Sequence, residues 1–307
     1  MKVLYNGVNI YDVISLNYAV HEMHAEKQAD SLVLRFNDPK GVWSKWNPAT
    51  GDRIAFEEGT AKTGSMFIHQ LKPENGLYTV RGTSMPISGK AKRSKSWAAV
   101  HFLQLGTEIA GRHGLSFKHY GVTDQVYAYM AQDNETDFAF YSRLCALEGC
   151  QMLIYDGAMV VYDEAYMETR TPSGTLAVGD DGVFLYEDTT DLSYGSAEIT
   201  SGSITGIFTD SKASGGRILR SSTPIKVNSS AEAKRFAEGL LRDANKNRQT
   251  GSFSRDLMTE YAAASLLKLS TTKASAWDGT VFLSKVRHDY VKNKTTLYFR
   301  RVTLEGY

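Results

Sequence analysis

Seven histidines, two cysteines and a few close-set carboxylates are the residues of this 307-residue chain whose types could do chemistry. His21 and His24 stand three apart, and a shared metal needs both imidazoles on one side. In a strand, residues three apart point to opposite faces, so no ion is expected there. His101, inside "SWAAVHFLQLGTEIAGRHG", falls near an apolar stripe and reads as a packed or hydrogen-bonded histidine in a helix rather than a ligand. Cys145 and Cys150 have no other cysteine to join them, which makes a poor metal motif and favours two small packing residues. Glu135 and Asp137 are the closest approach to a carboxylate pair. A glycosidase holds its two carboxylates across a cleft, roughly 5–9.5 Å apart. Here they flank a helix start and are read as serving its cap and dipole. "GDDG" (179–182) is too short for a calcium loop and reads as a turn. Gly-x-Ser-x-Gly, His-Glu-x-x-His and the Gly-x4-Gly-Lys phosphate loop are all missing. No catalytic, metal or cofactor site is therefore expected. Trp43 and Trp46 could stack on a sugar or cover the open end of a barrel.

The elements that would carry these residues begin with a period of two. "SLNYAV", "SLVLRF", "DRIAF", "SMFIHQL" and "LYTVRG" are strand-like, with turns at Asn47-Pro48 and Thr50-Gly51-Asp52 and a hairpin loop in "KPENG". Residues 1–88 are thus expected to form a small β-barrel, completed by about 151–168. "GKAKRSKS" reads as a basic connector into an α/β insert, 89–150. Its first helix carries Trp97, Val100, Leu105 and Ile109 and stops at Gly114. Its second, capped by Asn134 or Thr136, carries Phe138, Tyr141, Leu144 and Cys145 to Gly149. A hairpin turns at Asp156-Gly157. Residues 169–307 are assigned to a second β-barrel region with one long helix, 229–247, opened by a capping box of Ser229 and Glu232. The fold class is mainly β with an α/β insert (α+β).

The formal charge of +1, from 35 basic and 34 acidic residues, argues against a dedicated nucleic-acid binder. No window reaches the roughly 18 apolar residues of a membrane span. "MKVLYNGVNIYDV" lacks the apolar core of a signal peptide, so synthesis and assembly in a cytoplasm are expected.

One internal similarity stands out. Gly64 to Lys72 and Gly279 to Arg287 both read Gly-x-apolar-Phe-apolar-x-x-apolar-basic, and a Leu-Tyr strand ending in arginine follows each. Amphipathic hairpins can look alike, or the chain can hold two copies of one barrel.

Several stretches, in order, resemble the late-control protein D family of tailed phages. These are baseplate hub proteins related to the hub part of VgrG spikes. The stretches are Lys95-Ser96-Trp97, Ile109-Ala110-Gly111-Arg112-His113-Gly114-Leu115, Asn134-Glu135-Thr136-Asp137 and Arg143-Leu144 to Gly149. Asp38-Pro39 followed by Gly51-Asp52-Arg53-Ile54, the helix "EAKRFAEGLLRDANKNRQTGSF", and Asp278-Gly279-Thr280 before Val286-Arg287-His288 fit as well. One departure concerns 255–276, where "RDLMTEYAAASLLKLSTT" replaces the family's usual Pro-Gly-Asp turn.

The resemblance implies two tube-protein-like barrels per chain and a homotrimeric ring with a central channel. Three chains with two barrels each present six near-equivalent surfaces to a sixfold tail tube and threefold symmetry to a spike. It further implies a location in the baseplate of a contractile phage tail or tail-like particle. Implied partners are the tail tube protein, other baseplate proteins and a tape measure, with neither a membrane nor specific nucleic acid among them. The chain ends at Tyr307, soon after the second barrel, so a separate spike protein is expected. Trp43, Trp46, Gly51, Asp52, Trp97, Asp278 and Gly279 are the expected structural residues. A tail-tip cell-wall hydrolase and a carbohydrate-binding module are the alternatives.

Overall fold

The structure, a computed structural model, describes residues 1–179, 182–211, 216–221, 225–272 and 274–302. Tyr307 and the centre of "GDDG" lie outside the described residues. The chain is mainly β, with five α-helices among the described residues.

The first region contains β1 (Lys2–Tyr5), β2 (Val8–Asn9), β3 (Leu16–His24), β4 (Ser31–Asn37) and the short α1 (Val42–Trp46). It continues with β5 (Arg53–Glu58), β6 (Ala61–Lys62), β7 (Met66–Glu74) and β8 (Leu77–Thr83). The antiparallel order is β3-β4-β8-β7-β5, with β1 and β2 beyond β5. Alternation decides its faces. Leu32, Leu34 and Phe36 of β4 are fully buried with Ile54, Phe56, Met66 and Ile68, while Ser31, Val33 and Arg35 face away.

In the middle of the chain lie β9 (Lys92–His101), α2 (Phe102–Arg112), β10 (Ser116–Tyr120) and β11 (Val126–Thr136). They are followed by α3 (Asp137–Leu147), β12 (Cys150–Tyr155), β13 (Ala158–Asp163) and α4 (Glu164–Glu168). Here the structure corrects the sequence reading. The basic connector and the first turns of the expected helix are strand β9, paired antiparallel with β11. Trp97 and Val100 are both buried although three apart, because Ala99 takes a left-handed conformation (φ 49°) and breaks the alternation. That spacing imitates a helix. His101 is consequently the exposed N-cap residue of α2 rather than a residue within the helix, and of the two expected roles it takes the hydrogen-bonded one, its Nδ1 3.0 Å from Asp124 Oδ2. Residues 151–168 do not join the first sheet: β12 and β13 pair with each other and with β10.

The remainder comprises β14 (Thr175–Val178), β15 (Val183–Asp188), β16 (Ser196–Ser201), β17 (Ile204–Thr209), β18 (Ile218–Arg220) and α5 (Ser230–Asn245). The last strands are β19 (Gln249–Asp256), β20 (Leu266–Thr271), β21 (Gly279–Asp289) and β22 (Lys294–Arg301). Ser229 caps α5 through its hydroxyl, which accepts from Glu232 N (3.1 Å), while Glu232 reaches Asn228 N (2.6 Å). The helix packs with the insert. Phe236, Ala237 and Leu241 share one apolar cluster with Trp97, Phe140 and Leu144, and a Cβ on Gly239 would meet Leu147 O at 2.3 Å.

The strands outside that cluster repeat the first sheet. Their order, β15-β19-β22-β21-β20, is antiparallel throughout and matches β3-β4-β8-β7-β5 strand for strand in chain order. Even an irregularity recurs. β7 shifts register against β8 between Ile68 and Gln70, and β21 shifts against β22 between Leu283 and Lys285, the corresponding residues. Where a pair of small barrels was expected, the structure has two five-stranded repeats of one sheet order over separate apolar clusters. The C-terminal half of β21 pairs with β3 and joins them into one sheet.

Candidate functional site

The residues singled out from sequence are distributed over this scaffold rather than gathered in one place. Trp43 is buried between Phe36 (ring centroids 4.4 Å) and Tyr78 (5.6 Å), and Trp46 lies half-exposed on its edge at 5.2 Å. α1 is held over them by Asp38, whose Oδ1 accepts from Val42 N at 2.6 Å. Neither ring lines a described cavity. Asp52 accepts from Tyr5 OH (2.5 Å) and Ala49 N (2.8 Å). The first of these bonds holds its carboxyl below the ordinary range, and burial with the same bond pushes the Tyr5 phenol up to about 12.

Gly51 (φ 98°) and Asp52 bracket Ile68 with two backbone bonds, Gly51 N to Ile68 O and Ile68 N to Asp52 O, both 2.8 Å. Ala264 N to Leu283 O and Leu283 N to Ser265 O, both 2.9 Å, are their counterparts in the second sheet. The turn that "RDLMTEYAAASLLKLSTT" lacked by sequence is therefore present, with Ala264 (φ 61°) in the left-handed conformation usually left to glycine. Asp278 Oδ1 accepts from Thr271 N (2.7 Å) and Gly279 (φ 118°) starts β21.

Trp97 stacks on Phe140 (5.5 Å, 9°) rather than on Phe138 or Tyr141, and its Nε1 donates to Glu108 at 2.9 Å. The two carboxylates at the start of α3 part company. Glu135 accepts from Arg143 (2.7 Å), and Asp137 is wholly buried, accepting from Gln132 (2.9 Å), Arg112 (2.8 Å) and His113 (2.9 Å). Burial alone would raise the Asp137 carboxyl, but these three bonds hold it below the ordinary range. The cap itself is Thr136, whose Oγ1 accepts from Ala139 N.

His113 also meets Ser88 Oγ at 2.8 Å through Nδ1, so serine, histidine and aspartate stand in line, a contact between distant segments that motif reading missed. Ser88 lies in the turn Ile87–Lys90, and a Cβ on its neighbour Gly89 would strike Phe138 at 2.3 Å. The line ends against a packed helix. None of its three residues lines a described cavity, the largest of which, about 550 Å³, is walled by Met85, Phe138, Leu240 and others.

Cys145 and Cys150 are free and buried. Among the described residues no three metal-ligating side chains converge. No described helix is long and apolar enough to cross a membrane.

What the scaffold does concentrate is charge at its joints. Arg300 of β22, fully buried, donates to Glu168 (2.6 Å) and Glu164 (3.0 Å) of α4. Lys246, just after α5, reaches the same Glu164 oxygen (3.2 Å) and also Glu26, in the loop after β3. Second sheet, insert, helix and first sheet meet there. At the β21–β3 seam, Glu22 takes Lys285 (3.1 Å) and Arg287 (3.2 Å). One step along, His21 faces His288 across a fully buried gap, ring centroids 6.4 Å apart. Burial lowers His21 to about 3 and His288 to about 4, so both are neutral. The outer face around the seam carries Glu22, Arg35, Lys72, Glu74, Arg81 and Arg287 around a polar hollow of about 520 Å³.

The architecture is one known from proteins of phage tails and related injection machines. The amino-acid sequence itself matches no family model and no curated protein. Among solved structures, the chain is similar to the tail protein from Neisseria meningitidis MC58, with a TM-score of 0.78 and 12% identity over 99% of this chain and 96% of that one. It is similar to a 43 kDa tail protein of prophage MuSo2 from Shewanella oneidensis, with a TM-score of 0.75 and 11% identity over 99% and 98%. A third likeness, with a TM-score of 0.62 and 13% identity over 100% of this chain and 79% of the other, is to an E. coli component of the type VI secretion system described as similar to bacteriophage T4 tail proteins.

Proposed function

We propose that the chain is a structural hub in the baseplate of a phage tail or tail-like particle, of the late-control protein D kind. In this reading it is a homotrimer that adapts a sixfold tail tube to a threefold spike around a central channel. The observation that carries it is the five-stranded sheet built twice with one order and one shared irregularity. A chain with a single such sheet could meet a sixfold ring only at every second position. Two sheets per chain supply six similar surfaces under threefold symmetry. The uncored face of the joined sheets, polar and hollowed, suits a channel wall. Trp46, exposed at the rim of α1, is assigned to ring contact. The tube protein, a separate spike and other baseplate proteins are the partners this reading requires.

Electron microscopy of the purified chain, alone and with tube or spike protein, tests this directly. Rings of three chains with six similar lobes are expected. A closed assembly of any other stoichiometry would refute it.

One observation favours a second reading, a hydrolase built on Ser88, His113 and Asp137. Asp137 already accepts from Arg112 and Gln132, and Ser88, though exposed, lines no described cavity, so the line reads as a clamp between the Ile87–Lys90 turn and α3. A peptidoglycan zymogram cleared by the native chain and not by Ser88→Ala would reverse that judgement.

A further inference from the structure

The two sheets meet inside the chain along a seam whose two sides each recur at a free edge. The N-terminal part of β21 pairs with β20, and its C-terminal part, Lys285 to Asp289, pairs with β3. β7, the counterpart of β21, pairs with β5 only at Met66 and Phe67, and Gln70, Lys72, Pro73 and Glu74 are exposed beyond. β15, the counterpart of β3, has a neighbour on one side only, β19. The molecule therefore carries both halves of a second seam, and no described strand fills either.

Following the strand registers from one sheet to the other identifies which residues would meet. Phe67 corresponds to Phe282, so Lys72 corresponds to Arg287. Stepping through β8 and β22 and then β4 and β19 brings Leu32 opposite in role to Gly251, and hence His21 to Tyr186, Val20 to Leu185 and Glu22 to Glu187. The internal seam sets Arg287 against Glu22. Its copy would set Lys72 against Glu187. Opposite charges fall at the same register position in both seams, although nothing in the mapping used charge.

Two further observations agree. Lys72 now bonds only within its own strand, to Glu74 at 2.8 Å, and Glu187 has no ion pair among the described residues. Val20, covered from both sides in the internal seam, is 4% exposed, whereas Leu185 is 64% and Val183 70% exposed on an edge that lacks its neighbour.

We infer that Gln70–Glu74 of β7 pairs with β15 of a second copy of this chain, with Lys72 opposite Glu187. The inference rests on the ring reading above and names its contact. Eight strands of each chain, β15 through β7, then run on into the next chain. Three chains close a barrel of roughly 24 strands, wider than the 16–18-stranded barrels that already leave an aqueous channel. Pro73 stands where His288 stands internally, so the new seam lacks one donor but keeps that residue's carbonyl.

The geometry selects the probe. Tyr290 N donates to Ala19 O and Ala25 N to Ser284 O, both 2.9 Å, which places the even-numbered residues of β21 at hydrogen-bonded positions. Arg287 and Glu22 are then a non-hydrogen-bonded pair, whose Cα atoms lie about 4.5 Å apart, within disulfide reach. The chain carrying both Lys72→Cys and Glu187→Cys, concentrated and mildly oxidised, should yield disulfide-linked dimers and trimers and nothing larger. A mixture of the two single variants should stop at dimers, and either alone should yield none. The two native cysteines are buried and do not interfere. Independently, Lys72→Glu should abolish rings and the swap Lys72→Glu with Glu187→Lys should restore them, with melting of the single chain unchanged because both sites are exposed. Rings of three that form without the cross-link would overturn the seam and leave the ring reading intact. Absence of both rings and cross-links, also in the presence of tube and spike protein, would overturn the ring reading itself.

Discussion

Arg300 is where one substitution should disturb the most. Its guanidinium has no exposure and sits between Glu168 and Glu164, carboxylates that are 4% and 1% exposed as residues. Water cannot reach in to replace it. Arg300→Met keeps much of the stem against Phe282, whose ring lies 4.5 Å from the guanidinium, and removes only the charge. A surface pair would lose about 0–1 kcal/mol. Breaking a buried one strands the partner charges and costs about 3–5 kcal/mol. Lys246 and Arg242 remain near Glu164 and Glu168, so the lower half of that range is expected.

The loss should depend on pH with a definite sign. Burial raises the Glu164 carboxyl, but Lys246, Arg300 and Arg242 outweigh it and hold the group below its ordinary value. Its contribution is thus present above the ordinary glutamate pKa of about 4.3 and disappears as pH falls through the folded value. In Arg300→Met one of the lowering cations is gone, so the gap between variant and wild type should narrow toward pH 4. Urea unfolding of both chains at pH 7 and pH 4 measures it. A cost below about 1 kcal/mol at pH 7, or one that does not shrink in acid, would refute the reasoning.

Trp97→Ala removes a stacked indole and its bond to Glu108, and should cost about 3–5 kcal/mol in unfolding experiments; melting like wild type would count against the β9–α3 packing. Ala264→Gly should stabilise by about 1 kcal/mol, since Ala264 is held at φ 61°, and Gly51→Ala should cost a similar amount at the matching turn. Asp30 is pushed up to about 7 by burial, against the His24 amide that bonds its carboxylate. Its raised pKa means stability that is full near pH 4 and is lost progressively as pH rises to about 7, so in urea unfolding Asp30→Asn should match wild type near pH 4 and gain on it steadily up to pH 8.

The hairpin of β7 and β8 and its partner of β21 and β22 were legible because alternation, a terminal basic residue and the Phe position survive in both. The other strands of the repeat were not. Leu32 corresponds to Gly251 and His21 to Tyr186, so side-chain type no longer marks equivalence and only the ladder does. β15 and β19 are also separated by β16 to α5, a stretch that packs elsewhere and hides the repeat's beginning. Ala264 shows the same thing at one residue: the turn persists where the glycine that advertises it does not. The opposite error occurred at Trp97 and Val100, where a twisted strand reproduced helical spacing. The Ser88, His113 and Asp137 line joins segments 25 and 24 residues apart through a turn, and no local pattern encodes it.

In the proposed ring, the differences between the internal seam and the seam between copies follow from when each forms. The internal seam closes as the chain folds and is never presented to solvent. It can therefore hold His21 and His288, with three imidazole nitrogens left without partners, at positions that no other strand will contact. In the proposed ring the edges of β7 and β15 stay single until copies meet, and a bare strand edge invites pairing with any other. Pro73 withholds a donor there, and Lys72 and Glu74 keep the edge charged and hydrated, which disfavours every strand except one bearing the matching carboxylate. Core positions can be refilled with other apolar side chains at small cost, as Leu34 and its counterpart Phe253 illustrate. A charge pair recognised once within the chain and, in the proposed ring, once between chains would have less freedom. On this reasoning the basic residue at 72 and 287 and the glutamate at 22 and 187 are the part of the repeat under constraint, and the cores are the part free to diverge.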